Sequence, residues 1–207
     1  MSPALPILHG HFESGNVYKA ALMFALSGAR FTYRHVDLFA GATRTPDFLR
    51  LNRYGEVPVL EDGALVLAQS GAILTHLAAK FGRFGGRDEE ERLRVLEWLL
   101  WDNHRLMGNL GSLRYFRRGF ATGAPDTIRF VETRTLAALS KLEDQVRRQP
   151  FLAGDQPTIA DISCCAYAFW LDQVGLDPAA YPNIQAWLGR IAAVPGFKPA
   201  SELVPTG

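Results

Sequence analysis

The chain has 207 residues, enough for one large domain or two small ones with hydrophobic cores. Its 22 basic and 21 acidic side chains leave a net charge of +1, which argues against a nucleic-acid surface or an anionic membrane as the partner. No apolar run approaches the roughly 20 residues of a transmembrane helix. The N-terminal sequence also lacks the basic start and long apolar stretch of a signal peptide, so we expect a cytoplasmic protein.

The pattern of residues 1–81 predicts a small α/β domain. In chain order it consists of the strand LPILHG, a helix from Ser14 to Ser27, the strand FTYRHVDL, the short helix TPDFLRLN, a hairpin in VPVLEDGALVL and the helix SGAILTHLAAKF. The hairpin turns at Asp62-Gly63, a strong short-range turn signal. Strand–helix–strand connections give parallel pairing, whereas the hairpin adds an antiparallel edge. We therefore expect a mixed sheet with helices on its faces.

The rest of the chain predicts an all-helical domain. Residues 82–88, GRFGGRD, form a glycine- and arginine-rich break that we interpret as a linker, and residues 89–207 form the second domain. The predicted helices are DEEERLRVLEWLLWDNHRLMGNL, DTIRFVETRTLAALSKLEDQVRRQ, TIADISCCAYAFWLDQV and NIQAWLGRIAAV. The third is apolar on nearly all sides, which is typical of a buried central helix.

The cysteines and histidines do not suggest a metal site. Cys164 and Cys165 are adjacent, which suits neither an ordinary disulfide nor a thiolate cluster. The five histidines have no zinc-site spacing. His9 and His11 would point the same way on a strand, but no third ligand is evident. We expect a protein without a bound metal.

A first candidate site lies at the start of the first helix, at Ser14, Gly15 and Asn16. In an open α/β sheet, ligands bind where a parallel strand leads into a helix. The backbone N–H groups, the helix dipole and a hydroxyl together suit an anion. Serine is also a preferred N-cap, so geometry alone favours a structural role for Ser14.

Two further candidates flank the predicted hairpin. Val57-Pro58 stands where a strand opens, so the proline belongs either to an ordinary sheet edge or to a cis turn that leaves the Val57 backbone free to pair with an extended, peptide-like ligand. Gln69 and Ser70 precede the third helix, where two side-chain donors suit a carboxylate, although Ser70 is equally well explained as a cap.

The segment QPTIAD is different, because its spacing indicates structure. Thr158 followed three residues later by Asp161 resembles a capping box, with Asp in place of the usual Glu or Gln. We therefore interpret both residues as a helix start.

Taken together, these segments resemble the soluble glutathione transferases, and the likeness covers nearly the whole chain. It is carried by SGNVYKAALMFAL, RTPDFLRLNRYGEVPVLEDGALVLAQSGAILTHLA, FLAGDQPTIADI and YPNIQAWLGRI. The chain looks most like bacterial, serine-type members related to the phi and theta classes. This resemblance implies a thioredoxin-like N-terminal domain with a cis proline at Pro58, an all-α C-terminal domain, glutathione as co-substrate and a homodimer.

The resemblance also implies roles at the first helix and at the hairpin. Ser14 matches the serine whose hydroxyl supports the glutathione thiolate, and Asn16 is a possible second donor. Tyr18 is a weaker rival, because a residue inside the helix faces away from its end. Val57, before Pro58, matches the residue whose backbone pairs with the cysteinyl unit.

Other glutathione contacts are implied at both ends of the tripeptide. Gln69 and Ser70 match the pair that holds the γ-glutamyl end. Arg44 falls where relatives place a basic residue near the glycyl carboxylate. Glu56 stands where many relatives have glutamine, and Thr43 where phi-type relatives often have histidine, so the glycyl-end contacts depart from the family pattern.

The second substrate implied by the resemblance is hydrophobic and electrophilic. Trp98, Trp101, Tyr115 and Phe116 are candidates to line its pocket, with a role in the core or in a dimer interface as an equal alternative. Asp102 is a candidate to reach the glutathione of a partner subunit.

The expected activity is therefore conjugation of glutathione to electrophiles, with reduction of organic hydroperoxides as a related activity. A glutathione-dependent isomerase or reductase is an alternative, although the reductase variant normally has a cysteine at the first helix and this chain has none before Cys164. A non-catalytic member that binds a ligand or a protein is the alternative from another class.

Overall fold

The structure is a computed structural model that describes residues 4–206. The chain divides into two compact units. The first contains the residues through Arg83 together with those from Val194 onward, and the second runs from Phe84 to Ala193. The prediction placed all residues after 88 in the second domain, whereas in the structure the segment from Val194 onward belongs to the first unit.

The returning segment is held against the first helix by close contacts. Gly196 has φ +93°, and a Cβ at this residue would lie 2.6 Å from the Ala25 carbonyl oxygen, so only glycine fits. Tyr18 donates its hydroxyl proton to the Lys198 carbonyl at 2.9 Å. These contacts join residues far apart in sequence, and so the local pattern gave no signal of them.

A four-stranded mixed sheet forms the centre of the first unit. Its strands are β1 (Ile7–Gly10), β2 (Thr32–His35), β3 (Val59–Asp62) and β4 (Leu65–Ala68), in the spatial order β2-β1-β3-β4. β1 and β2 are parallel, whereas β3 pairs antiparallel with both β1 and β4. The predicted parallel crossover and antiparallel hairpin are both present.

β2 is shorter than the predicted strand FTYRHVDL. The Asp37 carboxylate accepts hydrogen bonds from the Phe39 and Ala40 N–H groups, both at 3.0 Å. This local turn satisfies backbone donors that a longer strand would have paired with the sheet, so the strand ends at His35.

The helices of the first unit lie close to their predicted positions. They are α1 (Gly15–Leu26), α2 (Pro46–Leu51) and α3 (Ser70–Phe81). At the start of α1, a Cβ at Gly10 would lie 2.3 Å from the side chain of Val17, so a glycine at the end of β1 lets the helix approach closely. Val36, Phe48 and Val59 form a separate small core cluster beside α2.

The second unit is helical. Its main helices are α4 (Glu89–Trp101), α5 (Met107–Arg117), α6 (Pro125–Arg148), α7 (Ile159–Ala168) and α8 (Pro182–Ala192), and a short helix, α9 (Ala200–Leu203), follows in the segment that belongs to the first unit. The long helix predicted after the linker is interrupted by one π-helical segment, Asp102–Leu106. Sequence periodicity did not predict this interruption.

Asp102, in the π-helical segment, is only 2% exposed. Its carboxylate accepts a hydrogen bond from the Ser163 hydroxyl at 2.5 Å, inside the second unit. The expectation that Asp102 reaches the glutathione of a partner subunit is therefore wrong, because the side chain is buried.

The predicted capping box at the start of α7 is confirmed. The Thr158 side chain accepts the Ala160 N–H at 3.3 Å, and Asp161 accepts the Thr158 N–H at 2.9 Å. The buried Asp161 carboxylate also accepts the Leu152 N–H and the Trp187 indole N–H, each at 2.9 Å. Burial raises the pKa of Asp161, and these hydrogen bonds oppose the rise.

Within residues 4–206, none of the helices is both long enough and apolar enough to cross a bilayer.

Candidate functional site

Ser14 is the N-cap of α1 and lies at the carboxyl end of β1. Its Oγ accepts the Val17 N–H at 3.4 Å, and the same N–H reaches the Ser14 carbonyl at 3.1 Å. The cap bond is therefore long and shared. Because Oγ acts only as an acceptor there, the hydroxyl proton has no acceptor among residues 4–206. Ser14 can cap the helix and still donate a hydrogen bond to a ligand.

The N-termini of α1 and α3 meet at a side-chain contact. The Ser70 hydroxyl donates to Asn16 Oδ1 at 3.4 Å, although the two residues are 54 positions apart in sequence. Neither helix has an acidic residue in its first turn. Two helix dipoles thus present their positive ends to the same region with no carboxylate of their own helices to neutralise them.

Gln69 precedes α3 in an unusual backbone conformation. Its φ is +70° and its ψ is 118°, outside the regions that a non-glycine residue normally occupies. Its side-chain amide donates to Glu56 Oε2 at 3.2 Å. Strained backbone is common at ligand sites, and this strain was not predictable from the local residue pattern.

Val57 connects this region to the hairpin. The Val57-Pro58 peptide bond is cis, as the resemblance implied. In the described part of the chain, neither the N–H nor the C=O of Val57 pairs with another backbone group. Both groups therefore remain for an extended ligand.

Arg44 lies next to the same loop. A Cβ at Gly55, which has φ +63°, would lie 2.8 Å from Arg44 Nη1, so the guanidinium packs over the glycine that precedes Glu56. No ion pair or hydrogen bond engages the guanidinium among residues 4–206. Thr43, beside it, is 6% exposed and its side chain is largely withdrawn from solvent.

These contacts connect the predicted residues of the first unit into one series. It passes from Ser14 and Asn16 through Ser70, Gln69, Glu56 and Val57 to Arg44. The series offers a hydroxyl, two helix N-termini, an unpaired backbone N–H and C=O, and a guanidinium. These groups suit an extended peptide-like ligand with a carboxylate at each end.

The tyrosines near the start of α1 are not available to activate a thiol. Tyr18 is 1% exposed and its hydroxyl is bound to the Lys198 carbonyl. Tyr33 donates to the Gly10 carbonyl at 3.0 Å, and burial raises its pKa to about 12. Ser14 is therefore the better placed hydroxyl.

The aromatic candidates of the second unit fall into two groups. Trp101 packs edge-on against Trp98, with ring centroids 4.9 Å apart, and lines a cavity of about 250 Å³ together with residues of α6. Tyr115 and Phe116 do not line that cavity. Tyr115 is 45% exposed and lies 5.7 Å from the Phe120 ring. Their roles in substrate binding remain predictions.

Comparison with known proteins identifies the family. The model of the glutathione S-transferase N-terminal domain matches residues 7–79, and that of the C-terminal domain matches residues 125–190. Glutathione S-transferase 3 of Zea mays is 32% identical over 212 residues, covering 96% of this chain and 94% of that protein. The chain belongs to the glutathione S-transferase family.

Two other similar proteins extend the comparison. The Escherichia coli protein named disulfide-bond oxidoreductase YfcG is 33% identical over 185 residues, 82% of this chain and 83% of that one. The crystal structure of a glutathione S-transferase from Pseudomonas fluorescens superposes with a TM-score of 0.88 at 33% identity, covering 95% of this chain and 99% of the other. The predicted architecture, a thioredoxin-like domain followed by a helical one, is confirmed.

Proposed function

We propose that the first unit binds glutathione along the series from Arg44 to Ser14 and that the enzyme transfers its thiolate to an electrophile. The observation that carries the proposal is the hydrogen bond from Ser70 to Asn16, which brings the N-termini of α1 and α3 together beside the Ser14 hydroxyl. Membership of the glutathione S-transferase family supports the choice of tripeptide.

The chemistry of glutathione matches the groups in order. Gln69 and Ser70 bind the γ-glutamyl carboxylate at the N-terminus of α3, where backbone N–H groups favour an anion. The backbone of Val57, with Pro58 fixing the turn beside it, pairs with the cysteinyl unit. Arg44 binds the glycyl carboxylate through its unpaired guanidinium.

Glu56 lies between these groups and contributes through Gln69. Its carboxylate holds the Gln69 amide at 3.2 Å and so orients that side chain. In this position it also suits the ammonium group of the γ-glutamyl end, because the two charges are opposite.

Ser14 promotes ionisation of the glutathione thiol. A free thiol has a pKa of about 8.5, so only a few per cent is thiolate at neutral pH. Lowering that pKa by about 2 units requires roughly 2.7 kcal/mol. A hydrogen bond to a charged group contributes about 1.5–3 kcal/mol and the dipole of α1 about 0.3–1 kcal/mol. The hydroxyl and the helix N-terminus together are therefore sufficient, with Asn16 as a second polar group.

Substitution of Ser14 tests the catalytic assignment. Ser14→Ala removes the donor to the thiolate, so we expect kcat/KM with a generic aryl halide to fall about 10- to 100-fold and the pKa of bound glutathione to rise. The matched control is Ser27→Ala at the other end of α1, where the buried Oγ has no hydrogen-bond partner in the described part of the chain. Conjugation by Ser14→Ala at the wild-type rate would show that this serine does not activate the thiol.

The electrophile is proposed to be hydrophobic, with Trp101, Tyr115 and Phe116 as candidates to contact it. The thiolate also suits attack on the O–O bond of an organic hydroperoxide, which two glutathione molecules reduce to an alcohol and water while they form a disulfide. Replacement of the aryl halide by a hydroperoxide in the same assay tests this activity. Retention on immobilised glutathione without turnover of either substrate would favour a non-catalytic binding role.

Disulfide reduction is a second candidate, favoured by the similarity to the Escherichia coli oxidoreductase. Cys164 and Cys165 are 1% and 0% exposed in α7, so neither is available as a redox nucleophile. Such a reaction would therefore use glutathione thiols alone. Reduction of a small disulfide by glutathione, unchanged when both cysteines are replaced by alanine, would support this activity.

The enzyme is further proposed to act as a homodimer. Leu93, Leu96 and Leu100 occupy one face of α4 and are 61%, 48% and 64% exposed in the single chain. An apolar stripe of this kind on a water-exposed helix is characteristic of an interface, and a second copy of the chain is the proposed occupant.

A further inference from the structure

The loop that leads into Ser14 is closed by two hydrogen bonds that one histidine accepts. His11 Nδ1 accepts the Glu13 N–H at 3.1 Å, and the His11 carbonyl accepts the Ser14 N–H at 3.0 Å. The first bond imitates an Asx turn, in which a side chain accepts the N–H two residues further on, and the second closes a β-turn. Both bonds fix the backbone that carries Ser14.

The His11 ring is held in place by aromatic neighbours. The side chain is 2% exposed. It stacks on Phe12 with centroids 4.4 Å apart and packs edge-on against Phe39 at 5.0 Å. His35 of β2 lies 5.1 Å away, and its buried Nδ1 has no hydrogen-bond partner within residues 4–206. The ring therefore has little freedom to turn Nδ1 away from the Glu13 N–H.

The hydrogen bond to Glu13 requires a neutral imidazole. An Nδ1 atom that accepts an N–H carries no proton, so the single ring proton is on Nε2. Burial lowers the pKa of His11 below its usual 6.5, and the neighbouring His35 lowers it further, whereas Asp37 and Glu13 act in the opposite direction. Protonation at Nδ1 would place an N–H donor there, facing the Glu13 N–H donor, and the hydrogen bond between them would be lost.

We propose that His11 is a positioning residue for Ser14: its neutral ring closes the loop of residues 11–14, and protonation at Nδ1 opens it. The inference rests on the proposed function of Ser14, because the loop matters to catalysis only if that hydroxyl meets the thiolate. His11 itself is not proposed to touch glutathione.

Two substitutions distinguish the effect of the Nδ1 acceptor from the effect of the aromatic ring. In His11→Asn, the Oδ1 atom occupies the place of Nδ1 and accepts the Glu13 N–H without titrating. In His11→Phe, the stacking is kept and the acceptor is lost. We expect kcat/KM at pH 7 to stay within about threefold of wild type in His11→Asn and to fall about tenfold in His11→Phe, the effect of one hydrogen bond. Equal losses in the two variants, or none in His11→Phe, would overturn the proposal.

The pH profile provides a readout that a purely structural role would not change. In the wild type saturated with glutathione, protonation of either the bound thiol or His11 removes activity, so log kcat/KM for the electrophile should approach a slope of two at pH values below both pKa values. In His11→Asn only the thiol titrates, and we expect a slope of one. Identical acid limbs in the two proteins would contradict a role for the His11 proton.

Failure of the inference can be distinguished from failure of the proposed function. If the wild type conjugates glutathione and Ser14→Ala does not, the function stands, and the His11 variants test the inference alone. If the wild type shows no conjugation, amide hydrogen exchange still reports on the loop. The Glu13 and Ser14 amides should exchange faster in His11→Phe than in wild type or His11→Asn. Equal exchange would refute the loop-closing role, and circular dichroism of each variant confirms folding.

Discussion

At the scale of single residues, Gln69 illustrates a conflict between stability and binding. Its φ of +70° is unfavourable for any residue with a Cβ, at a cost of about 1–3 kcal/mol. Gln69→Gly relieves this strain and also loses the side chain that contacts Glu56. Because glycine has extra freedom in the unfolded chain, we expect a net gain of only about 0.5–1 kcal/mol in the free energy of unfolding.

The same Gln69→Gly substitution should weaken glutathione binding, with KM rising several-fold, because one donor to the γ-glutamyl end is lost. Chemical denaturation and steady-state kinetics measure the two effects. Gln69→Ala serves as the control, because alanine removes the side-chain amide but keeps the Cβ, and so loses the donor without relieving the strain. A Gln69→Gly protein no more stable than Gln69→Ala would show that the backbone at this position is not strained.

The sequence indicated the position of Ser14 but not its surroundings. A serine between a strand and an apolar helix predicts an N-cap, and the structure has that cap. The contact of Ser70 with Asn16 depends on how α3 returns to α1, and 54 residues of chain separate them. The acceptor role of His11 was also missed, because a histidine near the end of a strand has no characteristic signature for a bond to the N–H two residues further on.

At the scale of secondary-structure elements, the start of α7 depends on one buried carboxylate. Asp161 accepts hydrogen bonds from Leu152, Thr158 and Trp187 and is 0% exposed. In Asp161→Asn, an NH₂ group replaces one acceptor and faces a backbone donor. We expect the free energy of unfolding to fall by about 2–4 kcal/mol.

Urea denaturation followed by tryptophan fluorescence measures this loss directly, since all four tryptophans belong to the second unit. The control is Asp177→Asn, an exposed residue whose side chain caps Ala179 at 2.9 Å. Asparagine caps as well as aspartate, so this variant should match wild type. A loss below about 1 kcal/mol in Asp161→Asn would mean that its hydrogen-bonded partners tolerate an amide.

Elements with strong local signals were predicted well, and those set by tertiary contacts were not. α3 has the predicted bounds, and the strands of the hairpin, Val59–Asp62 and Leu65–Ala68, lie within two residues of their predicted positions, because glycines and apolar periodicity agree there. The π-helical segment Asp102–Leu106 adds a residue to one turn without any change in composition. It coincides with the buried contact between Asp102 and Ser163, which the local pattern does not contain.

At the scale of the whole molecule, the order of elements along the chain reveals only part of how the residues divide between the two units. The linker near residue 83 was evident from its glycines and arginines. The return of the segment after Val194 was not, because it depends on Gly196 approaching Ala25 and on Tyr18 binding Lys198. The first unit is therefore built from both ends of the chain, and a fragment that stops at the linker lacks part of it.

The exposed apolar stripe on α4 predicts that two copies of the chain assemble into a dimer. Leu96 is flanked on its face by Leu93 and Leu100, and all three are exposed in the single chain. Leu96→Lys places a charge in the proposed interface, where burial without a partner is costly, so we expect a monomer. Leu96→Met keeps the position apolar at nearly the same volume and should remain dimeric.

Size-exclusion chromatography with light scattering determines the mass of each protein. A wild-type mass near 22.9 kDa would exclude the dimer, and a dimeric Leu96→Lys would move the interface away from this face of α4.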